Sequence, residues 1–145
     1  MKLIKYFIQF LIIINFFLIF KILGMKFASY FSGKIVTHIG PLFRPRELIK
    51  SNLLKALPNL DSNELNEISK NMWNNYGRIL AEYVFIKDLR NAKIQNNIEI
   101  KGQEILNQIK KDNEPVIFIS GHFNNFELMA MEIEKTGIEL AALYR

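Results

Sequence analysis

His122 and Glu127, in the segment Ser120-Gly121-His122-Phe123-Asn124-Asn125-Phe126-Glu127, are the residues whose types and spacing best suit chemistry. A neutral imidazole accepts a hydroxyl proton, and a carboxylate can fix its tautomer and stabilise the imidazolium that forms. On a continuous helix a spacing of five turns two side chains about 140° apart. The pair works only if His122 lies in a turn ahead of a helix and Glu127 lies in that helix's first turns. The start of such a helix also presents free N–H groups to an oxyanion. A structural reading stays open beside this one: His122 caps the helix and Glu127 sits favourably near its positive end. Residue type and spacing alone do not separate the two.

Other chemistries are narrower still. With no Cys and two His in 145 residues, a disulfide, a thiol nucleophile and a Cys-ligated zinc are excluded, and no protein-held metal or other cofactor is expected. Ser120 stands near His122, but no G-x-S-x-G elbow exists to make it a hydrolase nucleophile.

The elements that must position His122 read as α/β. Ile98-Glu99-Ile100 alternates like a strand, and Gly102 opens a helix carrying Ile105, Leu106 and Ile109. Pro115 starts Val116-Ile117-Phe118-Ile119, a strand of the buried type. Phe126, Met129, Ala130 and Ile133 mark the next helix, Gly137 closes it, and Glu139–Tyr144 reads as another strand. This order predicts the first β-α-β-α-β part of a mainly parallel sheet with right-handed crossovers, with residues 120–127 beyond a strand's carboxyl end, where such sheets bind ligands.

Upstream, Leu48, Ile49, Leu53, Leu54 and Leu57 predict a short amphipathic helix that Pro58-Asn59 ends. Asp61 and Glu64 have the spacing of a capping box. Leu65, Ile68, Met72, Tyr76, Ile79, Leu80 and Tyr83 then keep one apolar face over about five turns, which Trp73 extends, and are read as core.

The chain begins apolar. Tyr6–Phe20 carries no charge and rises about 22 Å as a helix, short of a bilayer core near 30 Å. If Lys21 snorkels or faces a protein neighbour, the span extends to about Phe27 and suffices. A cleaved signal peptide fits less well, because Ala28-Ser29-Tyr30 is a poor cleavage site. A buried core helix is the other alternative. Lys2 and Lys5 precede the span, while Lys21, Lys26, Lys34, Arg44 and Arg46 follow it, a bias towards a cytoplasmic C-terminal part. Set among Phe27, Tyr30, Phe31, Leu42 and Phe43, the following basic residues also suit anionic headgroups. The net charge of +5 is not gathered into a recognition element, so nucleic acid is not expected as a partner.

Residues 115–128, Pro-Val-Ile-Phe-Ile-Ser-Gly-His-Phe-Asn-Asn-Phe-Glu-Leu, resemble the core block of the bacterial lipid A biosynthesis acyltransferases, the lauroyl/myristoyl transferases of the lysophospholipid acyltransferase superfamily. That block reads as an apolar strand, a small residue, H-F-G-N-W-E and an apolar helix. Arg46–Pro58, with Asn52-Leu53, is similar to the family's basic segment, and Met72–Glu82 to its long-helix block. Two departures stand out: Asn124 replaces the family's Gly, and Phe126 replaces its Trp.

The resemblance implies transfer of a fatty acyl chain from acyl carrier protein (or acyl-CoA) to a hydroxyl of a lipid A precursor or related glycolipid. His122 would be the general base and Glu127 its orienting carboxylate; Asn125 and Arg145 would bind substrate. It further implies a membrane anchor over 1–27, a helical membrane-proximal segment over 28–95, and the N-terminal part of an α/β domain over 96–145 that lacks the family's later motifs. The expected location is the bacterial inner membrane, single-pass, with the catalytic part on the cytoplasmic face. The competing reading is a non-catalytic membrane-surface scaffold or an inactive truncated remnant.

Overall fold

The computed structural model describes residues 2–91 and 98–142. The chain forms two compact units, Met1–Phe85 and Ile86–Arg145. In the first, α1 (Lys2–Leu23) and α2 (Met25–Ile39) are followed by a 3₁₀ turn (Gly40–Leu42), α3 (Arg46–Ala56), α4 (Ser62–Glu82) and a second 3₁₀ turn (Tyr83–Phe85). The second contains α5 (Ile86–Arg90), α6 (Gln103–Asp112) and α7 (Glu127–Lys135).

The 22 residues of α1 rise about 33 Å, enough to cross a bilayer. Its apolar side chains are uncovered almost throughout, and of its residues Phe20 alone is buried. Asn15, its one uncharged polar group besides Gln9 and Tyr6, donates its side-chain N–H to the Leu11 carbonyl at 2.8 Å, so its amide is satisfied within the helix. Lys21 faces a protein neighbour, with its ammonium 4.8 Å from the centre of the buried Phe85 ring. Gly24 separates α1 from α2 with φ 75° and ψ 158°, a conformation essentially restricted to glycine.

The first unit is held by α2 lying against α4. The facing surface of α2 consists of small residues four apart: Ala28, Ser29, Ser32 and Gly33 are buried, and Gly40 continues the line. On α4 the buried positions are Leu65, Gly77 and Ala81. Ser29 donates to Glu82 Oε1 at 3.0 Å, Asn74 Nδ2 to Thr37 Oγ1 at 3.4 Å, and Gly40 lies against the Trp73 ring. Because contacts ascend α2 while descending α4, the two helices run antiparallel. A methyl group on Gly77 would overlap the Ser32 carbonyl and lie 2.8 Å from Val36 Cβ, so the backbones meet without side chains between them.

The capping box at the start of α4 is present. Asp61 Oδ1 accepts from the Asn63 and Glu64 N–H groups at 2.7 and 2.9 Å, and the Asp61 N–H donates to Glu64 Oε2 at 2.8 Å. The expected apolar face of α4 needs revision. Tyr76 and Leu80 are 56% and 50% exposed, because the contact line follows the small Gly77 and Ala81 instead.

In the second unit α5 packs on α7, burying Leu89 and Ile133, and Arg90 pairs with Glu134 at 2.6 Å. Lys110 on α6 donates to the Thr136 carbonyl at 2.7 Å, just after α7. Gly102 and Gly137 flank these helices with φ 89° and 86°, as expected of residues that start and stop them.

The α/β expectation is overturned. Among the described residues the fold is all-helical, with no strand and no parallel sheet. Ile98–Ile100, Val116–Ile119 and the described part of Glu139–Tyr144 (up to residue 142) are unpaired. An apolar run becomes a strand only when a neighbour supplies ladder hydrogen bonds and a surface to cover it. Neither is present for Val116–Ile119: Ile117 and Ile119 are 90% and 93% exposed. The sequence pattern recorded a local preference that no segment among the described residues satisfies.

Gly77→Ala should lower stability by about 1–3 kcal/mol through overpacking against the Ser32 backbone. The measurement is the thermal midpoint of the helical circular-dichroism signal in detergent micelles, and an unchanged midpoint would contradict the close approach of α2 and α4.

Candidate active site

His122 lies in the non-helical segment before α7, and Glu127 is the first residue of that helix. The Phe123 N–H donates to the Gly121 carbonyl at 2.8 Å, closing a three-residue turn with His122 at its apex. The His122 ring meets the Phe126 ring edge-on, with centroids 4.4 Å apart and planes at 62°. Phe126 therefore serves as an aromatic wall that limits where the imidazole can swing.

His122 and Glu127 are both exposed, and no hydrogen bond or ion pair joins them among the described residues. Nor does His122 cap the helix. The N-cap residue is Phe126, without a side-chain cap bond. Two first-turn N–H groups are satisfied locally instead: Leu128 donates to the Asn125 carbonyl at 3.1 Å and Met129 to the Phe126 carbonyl at 3.2 Å. The amides left for an incoming oxyanion are those ahead of these two, at Phe126 and Glu127.

Asn125 provides the most informative local feature. Its Oδ1 and Nδ2 atoms are both buried and have no hydrogen-bond partner. An unsatisfied buried amide costs about 1–3 kcal/mol, so such groups are as a rule met by protein, ordered water or a ligand. Arg145 falls outside the described residues. No cluster of three or more metal-ligating side chains is found among the described ones.

The model of the bacterial lipid A biosynthesis acyltransferase family matches residues 1–145, the whole chain. The chain belongs to that family. Comparison with curated proteins and with solved structures gave no match.

Within this acyltransferase chain, the substitution of Asn124 for the family's Gly now has a physical account. Asn124 has φ 46°, in the left-handed region that Gly enters freely and Asn tolerates better than other side-chain-bearing residues. The turn between His122 and α7 therefore needs that conformation, and Asn supplies it while adding an exposed side chain. The γ-turn at His122 went unread in the sequence; Gly121 was the available signal, since a Cβ there would press on the Phe123 ring.

Asn124→Gly should retain stability, whereas Asn124→Val should lose about 1–2 kcal/mol by forcing a β-branched residue into the left-handed region. Thermal melting of the two variants checks this, and a Val variant as stable as the Gly variant would exclude a left-handed turn.

Proposed function

We propose that this acyltransferase moves a fatty acyl chain from acyl carrier protein, or acyl-CoA, to a hydroxyl of a lipid A precursor or related glycolipid. A ring nitrogen of His122 takes the acceptor hydroxyl proton as the oxygen attacks the thioester carbonyl. The tetrahedral oxyanion is stabilised by amides at the start of α7 and by the positive end of that helix. Collapse breaks the C–S bond, and the departing thiolate receives the proton from the His122 imidazolium, leaving ester and thiol. Glu127 orients His122 and stabilises its charged form, and Asn125 hydrogen-bonds substrate with its otherwise unpartnered amide. Arg145 contributes a charge for acceptor phosphate.

The observation that carries this reading is His122 at the apex of a turn immediately before Glu127 at the first position of α7, in a chain matching the family from end to end. The absence of a capping bond from His122 favours it over a purely structural role.

Residues 1–27 act as a single-pass anchor in the inner membrane, residues 28–95 lie against its surface, and residues 96–145 carry the catalytic block on the cytoplasmic face. Support comes from the length and exposed apolar surface of α1 and from the excess of Lys and Arg after it.

His122→Ala should reduce acyl transfer by about 10²–10⁴-fold, the range for loss of a general base. The assay follows labelled acyl groups from acyl carrier protein to a lipid A precursor in membranes containing the protein. Transfer at the wild-type rate in the variant would remove His122 from the mechanism.

A further inference from the structure

Away from His122, within the first unit, the end of α2, the start of α3 and the first half of α4 enclose a cleft of about 470 Å³. Arg46 and Lys50 reach it from α3 and Lys70 from α4, against a single carboxylate, Glu47. None of these three cations is in an ion pair among the described residues. The cleft therefore gathers positive charge that the protein does not neutralise.

One further feature favours an anion. The 11-residue helix α3 begins here, and its N-cap residue, Pro45, makes no side-chain cap bond. Its first-turn N–H groups and positive helix end lie beside Arg46. His38 also lines the cleft, where its Nδ1–H donates to the Lys34 carbonyl at 2.8 Å, so its Nε2 is an acceptor and adds no anion selectivity.

The remaining lining is apolar. Ile49, Leu65, Pro41 and Trp73 form it, and Leu42 and Phe43, next to Pro41, are 83% and 78% exposed. A free phosphate ion needs only the charged part; a phosphate carried on a lipid uses both. We infer that this cleft binds the phosphate headgroup of an anionic lipid, with Arg46, Lys50, Lys70 and the start of α3 around the phosphate and Trp73 against the adjoining glycerol or acyl root. This site is independent of the acyl-transfer reading, because no residue of it belongs to the His122 block.

Trp73 is the only Trp in the chain, so its fluorescence reports on this cleft alone. The full chain in phosphatidylcholine vesicles is titrated with dihexanoyl phosphatidic acid, dihexanoyl phosphatidylcholine or inorganic phosphate, for the wild type and for the Arg46→Gln/Lys70→Gln double variant. The expected result is a saturable emission change with phosphatidic acid, weakened about tenfold or more in the double variant at unchanged circular dichroism. An equal response to phosphatidylcholine would overturn the selection of an anionic headgroup, and equal binding of inorganic phosphate would overturn the lipid assignment. Unaltered affinity in the double variant would overturn the residues. No response to any of the three would reject it as a site.

Discussion

The contact of Gly77 on α4 with the Ser32 backbone on α2 is the constraint on which the first unit depends. Large side chains hold helices about 8–10 Å apart, whereas a surface of Gly, Ala and Ser lets them come closer and gain dispersion contacts along the backbone. Closeness also brings polar groups into reach. Ser29 meets Glu82 at one end of the pair, and Asn74 meets Thr37 nearer the other. Trp73 then rests against Gly40, where any side chain would displace it. The same indole is one wall of the basic cleft, so the packing rule that joins two helices also shapes a recess beside them.

Along α1 the apolar side chains stay uncovered and Asn15 bonds its own helix, while Lys21 finds an aromatic face. Gly24 then changes the chain's direction through a conformation other residues avoid. The first two devices give polar groups of an apolar helix a partner within the protein, and the third ends that helix.

Local signals were legible in the sequence, and long-range ones were not. The capping box at Asp61, the ends of α6 and α7 at Gly102 and Gly137, and the turn ahead of Glu127 all depend on residues within a few positions of one another. A strand depends on a distant partner, and Val116–Ile119 shows how an apolar run misleads when none pairs with it. The line along α4 held at Leu65 but not at Tyr76 and Leu80, for a related reason. Apolar periodicity selected Tyr76 and Leu80, but burial follows Gly77 and Ala81, whose importance lies in their lack of bulk. The basic cleft was equally hidden, since Lys50, Lys70 and His38 are ordinary surface residues until three helices bring them together.

At the candidate active site the polar groups follow a different logic from those between α2 and α4. Several side-chain amides and hydroxyls elsewhere find protein partners: Thr37 bonds the Gly33 carbonyl, Ser69 the Leu65 carbonyl and Gln108 the Asp112 carboxylate. Around His122 the imidazole, the Glu127 carboxylate and the buried Asn125 amide have none, while Phe126 fixes the ring from one side. Water can satisfy the exposed imidazole and carboxylate, but leaving the buried Asn125 amide unpaired opposes folding, and the left-handed turn at Asn124 adds strain to the same short stretch. Stability alone would favour pairing that amide or replacing it. These two local costs, beside an exposed imidazole held by Phe126 at the start of α7, are the physical argument for reading the stretch as a site rather than a helix end.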